Sequence, residues 1–175
     1  MKYQKLAELY EKLSSTTKRL EKTEILSLFL KELSLKNKDV LYLLLGNIYP
    51  EHSEKKIGIS NQLTIKAISR ATGTPDTKII QEWKSIGDLG KVAEKLTQDK
   101  KQSTLHSHTL TTEKVINNLR KLTSFVGIGT VGKKLSLITE LLTSAQPLEA
   151  LYLVRILLGD LRIGLKESTI RESIV

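Results

Sequence analysis

Two glycines bracket an arginine in Gly159-Asp160-Leu161-Arg162-Ile163-Gly164, directly after an apolar run that reads as a helix. A guanidinium offers a planar fork of N–H donors, and glycines beside it let the backbone approach a ligand closely. The chemistry this spacing suits is recognition of a phosphate, with Asp160 capping the local backbone. Two further segments carry similar punctuation. In Gly87-Asp88-Leu89-Gly90 an aspartate stands where a helix would be N-capped beside open backbone, and Lys91 and Lys95 follow. In Gly127-Ile128-Gly129-Thr130-Val131-Gly132-Lys133-Lys134 paired glycines turn the chain into a new helix whose first turn holds two lysines. Cations oppose the helix dipole there, so the arrangement suits an anion lying in front of the free amides. The plain alternative is a set of glycine caps with solvated lysines, and for Arg162 a surface ion pair.

Other reactive groups are sparse. Arg155, on the apolar helix before Gly159, suits a buried ion pair better than a ligand contact. His106 and His108 have only His52 as a further histidine and no cysteine to complete a metal set. No Walker loop, dinucleotide fingerprint, kinase set or nucleophile elbow occurs. The chain is therefore expected to hold no catalytic residue, no metal and no cofactor. Trp83 and the scattered tyrosines form no aromatic series and suit the core.

The elements that must position these segments are helical. Apolar residues recur at helical spacing in Tyr3, Leu6, Tyr10 and Leu13, in Leu26, Phe29, Leu30 and Leu33, in Leu89, Val92, Ala93 and Leu96, and in Val131, Leu135, Ile138 and Leu142. Strand alternation is nearly absent. The pattern predicts an all-α, compact multi-helix domain of about nine or ten helices. Gly46 with Pro50, Gly73-Thr74-Pro75-Asp76, and Pro147 mark stops and starts, and residues 50–58 read as a polar loop. A break over 98–111 divides the domain 1–175 into two candidate helical halves, 1–99 and 110–175, that look pseudo-symmetric. The helix 148–158 is apolar on most sides and is expected at the centre.

Composition narrows the partner. The 175 residues carry a formal charge of +9 with 39% hydrophobic residues, enough for a real core and suited to a polyanion. Nucleic acid fits ahead of a membrane, because the longest apolar run, 40–45, is far too short to span a bilayer and no signal peptide opens the chain. Absence of cysteine points to the cytoplasm, and a DNA partner would place the chain at the nucleoid. The alternative reading is an all-helical protein-interaction scaffold whose positive charge is incidental.

Taken in order, the segments resemble the N-terminal DNA-binding domain of ATP-dependent DNA ligases of the archaeal and eukaryotic type. The resemblance is carried by 3–13 with Thr16-Thr17-Lys18, Leu44-Leu45-Gly46 with Tyr49-Pro50-Glu51, and Lys66-Ala67-Ile68 with Ala71-Thr72-Gly73. It continues through Gly87-Asp88-Leu89-Gly90, Lys133-Lys134, Pro147-Leu148-Glu149-Ala150 with Tyr152-Leu153, and Leu161-Arg162-Ile163-Gly164-Leu165. Ile128 departs from the pattern, which tends to place a polar or acidic residue between the paired glycines. The resemblance implies an all-α domain that grips nicked double-stranded DNA through backbone and minor-groove contacts, without sequence specificity, in replication, repair and recombination. The contacts would come from Gly87, Asp88, Leu89 and Gly90, from Gly129, Thr130, Lys133 and Lys134, and from Gly159, Leu161, Arg162 and Gly164. The Lys-x-Asp-Gly element that such ligases adenylate does not occur here. The chain thus looks like a ligase fragment, without ligation or ATP turnover of its own. ATP and Mg²⁺ would belong to the parent enzyme, whose catalytic and oligonucleotide-binding domains are implied partners, and a sliding clamp is an open candidate.

Overall fold

The structure is a computed structural model that describes residues 1–100 and 109–175. Lys101 to His108, including the expected break's centre and both His106 and His108, lie outside the described residues. Ten α-helices occur among the described residues: α1 Tyr3–Ser14, α2 Arg19–Glu32, α3 Val40–Leu43, α4 Asn61–Thr72, α5 Asp76–Ile86, α6 Leu89–Gln98, α7 Thr112–Ser124, α8 Val131–Ser144, α9 Pro147–Leu158 and α10 Glu167–Ile174. A 3₁₀ turn at Leu35–Asn37 separates α2 from α3. Among the described residues β pairing is limited to one isolated antiparallel bridge, Lys2 with Thr111, which ties the N-terminus to the start of α7. The architecture is all-α.

The centre of the molecule is α9. Pro147 fits its first turn, where no backbone N–H is needed, and Gln146 and Glu149 form a capping box in which Glu149 Oε1 accepts from the Gln146 amide at 2.9 Å. Every residue from Glu149 to Leu157 is buried, as the nearly continuous apolar run requires. The α6 helix lies along α9 as the most extensive pair, followed by α4 on α8 and α2 on α10. Helices before and after residue 100 therefore share one hydrophobic cluster, and packing runs across the 1–99 and 110–175 division. Tyr10 stacks near Tyr152, with ring centroids 5.0 Å apart. Their hydroxyls find partners as they leave the apolar layer: Tyr10 donates to the Leu43 carbonyl at 2.5 Å and Tyr152 to Glu11 at 2.6 Å.

Glu149 carries a charge into this core, at 2% exposure. Burial raises its pKa, and the Gln146 hydrogen bond offsets only part of that. A carboxyl whose folded pKa is raised binds protons more tightly in the folded state. Stability then falls as pH rises from the unfolded value, about 4.3, through the folded one. Glu149→Gln keeps an acceptor for the Gln146 amide and removes the charge. It is expected to raise the melting temperature at pH 7 by a few degrees, about 2–4 °C for each kcal/mol relieved. That gain should vanish below about pH 4, where the wild-type carboxyl is protonated in both states. Thermal melts across pH check it; a lower melting temperature for the variant at pH 7 would contradict it.

Candidate nucleic-acid interface

Asp88 joins two of the three glycine-bearing segments. Gly87, left-handed at φ 77°, ends α5 and makes Asp88 the N-cap of α6. Asp88 Oδ1 accepts from the amides of Gly90 and Lys91 at 2.9 and 3.4 Å. Its Oδ2 accepts from Arg155 Nη2 at 2.6 Å and Nε at 3.2 Å, and lies 3.5 Å from Arg162 Nη1. Burial pushes the Asp88 carboxyl up, but the Arg155 hydrogen bond, the Arg155 and Arg162 charges and the Lys91 amide together outweigh it. The carboxyl is held below its ordinary pKa. The expected N-cap and the expected buried pairing of Arg155 are both present.

The open backbone expected beside that cap is not. The amides of Gly90 and Lys91 are taken by Asp88, and Leu89 and Gly90 are buried. A β-carbon on Gly90 would come within 2.7 Å of the Leu151 carbonyl oxygen and 3.0 Å of Arg155 Cγ. Gly90 is thus what lets α6 and α9 cross closely, and Gly87 is the residue this bend exposes.

The loop 159–165 continues from α9. Gly159 is its left-handed C-cap, and the Asp160 amide reaches back to the Arg155 carbonyl at 2.9 Å. Arg162 has φ 56°, alone among non-glycine residues described. Its Nε donates to Asp160 Oδ2 at 2.7 Å, so the Asp160 side chain serves Arg162 and not the backbone cap expected of it. Arg162 stays 46% exposed, able to exchange a surface acid for another anion. Leu161 is half-buried against Gly46, Ile163 is buried, and Gly164 is exposed and left-handed at φ 60°.

The hairpin before α8 differs from the α6 start in one respect. Thr130 occupies the N-cap position, but its hydroxyl donates back to the Gly127 carbonyl at 2.8 Å and caps nothing. Lys134 is the first amide of the helix with a backbone acceptor, Thr130 O at 3.0 Å. The amides of Val131, Gly132 and Lys133 have no protein acceptor among the described residues. Gly129 is exposed at φ 83°. Lys133 is exposed, with Nζ 5.7 Å from the Phe125 ring centroid, and Lys134 is half-buried; neither forms an ion pair among the described residues. Val126, Ile128 and Val131 stand in solvent at 85%, 107% and 61% exposure, so the Ile128 departure yields an aliphatic tip.

A segment read from sequence only as a polar loop connects these parts. Arg120 near the end of α7 donates to the Ile48 carbonyl at 3.1 and 3.3 Å and pairs with Asp39 at 3.0 Å. Tyr49 Oη lies 3.5 Å from Thr123 Oγ1, and the Ile59 amide donates to the Leu157 carbonyl at 3.0 Å. With Gly46 against Leu161, residues 46–59 bridge the end of α7, which leads into the hairpin, to the end of α9, which leads into the Arg162 loop. Lys55, 5.6 Å over the Tyr49 ring, and Lys56 ride on that bridge. The structure therefore brings the Asp88 and Arg162 segments into direct contact and reaches the Lys133 hairpin through this bridge. Lys22, which no sequence spacing marked, lies against Gly164. Among the described residues no group of three His, Cys, Asp or Glu side chains is placed to hold a metal, and no helix is long and apolar enough to cross a membrane.

Comparison with known proteins gives a consistent result. The family model described as DNA ligase N terminus matches residues 2–175. A DNA ligase of Methanosphaera stadtmanae is 43% identical over 176 residues, covering 98% of this chain and 32% of that relative. A DNA ligase of Methanothermobacter thermautotrophicus is 42% identical, with 98% and 31% covered, and one of Thermococcus fumicolans is 36% identical, with 99% and 31% covered. The chain thus spans just under a third of the length of these relatives.

Proposed function

The chain belongs to the DNA ligase N-terminus family, and from that premise we propose that it binds nicked duplex DNA by its backbone and minor groove, as the DNA-binding part of an ATP-dependent ligase. The observation that carries this reading is the exposed α8 start, where among the described residues three amides have no protein acceptor and Lys133 and Lys134 form no ion pair. Amides and dipole at a helix start favour a phosphate, and lysines that would otherwise oppose the dipole are then matched to it. The bridge 46–59 supports the hairpin and the Arg162 loop acting on one ligand. Phosphate-directed groups of this kind position a protein on a duplex without reading its sequence.

The chemistry of joining DNA ends is assigned to the rest of the longer protein. ATP and Mg²⁺ are assigned with that chemistry to the parent enzyme, whose adenylated Lys-x-Asp-Gly element has no counterpart in this sequence. This chain's part is to hold the duplex for the catalytic and oligonucleotide-binding domains.

Fluorescence-anisotropy titrations of nicked duplex, intact duplex and single-stranded DNA of one sequence test the proposal. Both duplexes should bind more tightly than the single strand, with the nicked duplex at least equal to the intact one. Absence of duplex binding would overturn it. The scaffold alternative also has an observation in its favour: Leu30, Leu33, Leu41 and Ile174 line an apolar groove between α2 and α10, beside Leu35 at 91% exposure. A protein that bound no duplex in these titrations would be read that way.

A further inference from the structure

Lys22 is a buried cation without an acid. It lies on α2 at 6% exposure, and its Nζ donates to the Ile163 carbonyl at 2.6 Å and the Gly164 carbonyl at 3.0 Å. It forms no ion pair among the described residues, although its neighbours Lys18 and Arg19 do, with Glu21 and Glu172. Removing an ammonium from water is costly unless its charge is answered. Arg155, the other buried cation among the described residues, has Asp88 at 2.6 Å; Lys22 has two carbonyl dipoles. Two neutral carbonyls accept its hydrogen bonds, but neither cancels the full positive charge that the lysine brings to this buried position.

The approach is built into the loop. A β-carbon on Gly164 would stand 2.7 Å from Lys22 Nζ, so the ammonium lies close against the loop backbone at its left-handed glycine. The loop it supports contains left-handed residues at Gly159, Gly164 and Arg162. A non-glycine residue in that conformation is held by its surroundings. Arg162 leaves the loop on the solvent side, and Lys22 supports it from the side of α2.

We infer that Lys22 is a positioning residue of the duplex site, and that its unanswered charge finds its counter-charge in the phosphates the 159–165 loop receives. The inference rests on the duplex-binding reading above. Without DNA, Lys22 fixes the loop through two carbonyls while its charge remains uncompensated in a region that mobile ions screen poorly. A phosphodiester backbone docked on the outer side supplies that compensation. The carbonyls orient the loop, and the charge favours the anion.

Two substitutions separate these parts. Lys22→Gln retains an N–H donor and removes the charge, whereas Lys22→Met removes both. With nicked duplex as the probe, both variants should bind about tenfold more weakly than wild type, with the log–log salt slope shallower by up to about 0.9. Lys22→Gln should melt within a few degrees of wild type. A Lys22→Gln variant that binds duplex like wild type would overturn the inference, as would affinity lost only in proportion to the unfolded fraction. If neither variant folds, the Lys22 Nζ resonance of the ¹⁵N-lysine-labelled wild-type protein decides. It should shift on saturation with nicked duplex, and an unmoved resonance would overturn the inference. Wild-type protein that binds no duplex would instead remove the functional reading beneath it.

Discussion

Asp88→Ala is expected to lower stability by about 3–5 kcal/mol, the cost of stranding one member of a buried ion pair. At about 2–4 °C per kcal/mol for a domain of this size, the melting temperature falls by roughly 6–20 °C. The magnitude follows from what Asp88 touches. Its removal leaves the Arg155 guanidinium buried with 10% side-chain exposure and without its acid, and frees the amides of Gly90 and Lys91 at the start of α6. That end of α6 packs against α9, the central helix. The pH dependence has a definite sign. Because the folded pKa of Asp88 is depressed, its ionic stabilisation is fully present above the unfolded carboxylate value, about 3.9, and is lost as pH falls through the folded value. The gap between wild type and Asp88→Ala should therefore be widest near neutral pH and narrow in acid. Thermal melts between pH 7 and pH 3 would show it; an equal gap throughout would mean the carboxylate charge is irrelevant.

Arg162→Ala is expected to weaken duplex binding about tenfold, or about 1.4 kcal/mol, and by the same factor on unrelated sequences. Arg162 is held by Asp160 and by the edge of Asp88, and exposed pairs of this kind contribute little. Trading Asp160 for a phosphate therefore costs the protein little. Arg162→Gly provides the control. It removes the same side chain but relieves the left-handed backbone at φ 56°, so it should melt higher than Arg162→Ala while binding DNA no better. Loss of affinity on only one base sequence would contradict backbone readout. Affinity restored in Arg162→Gly would show that loop strain, and not the guanidinium, sets binding.

Much of this fold was legible because its information is local. The apolar spacing of Tyr3, Leu6, Tyr10 and Leu13 marks α1, Pro147 and Gly159 bound α9, and the apolar run between them correctly places that helix at the centre. Arg155 could be read as buried and paired, but Asp88, 67 positions earlier, could not be read as its partner. Gly90 shows the same limit. Beside an N-cap it reads as open backbone, and only the crossing of α6 over α9 shows that its missing side chain makes room for Leu151. At Thr130 only the folded chain shows the hydroxyl turned back to the Gly127 carbonyl. Lys22 was invisible, since a lysine in a helical run reads as solvated until a loop 141 positions away closes over it. In the sequence Lys55 and Lys56 amount to loop polarity, because only the folded chain shows 46–59 spanning the ends of α7 and α9.

The central claim, that exposed amides and cations of linked loops hold a duplex by its phosphates, is tested most directly by the salt dependence of binding. Affinity for a nicked duplex measured across a range of salt concentrations should fall with a log–log slope of about −5, as neutralisation of roughly six phosphates requires. A slope near zero, or no binding at the lowest salt, would contradict the account.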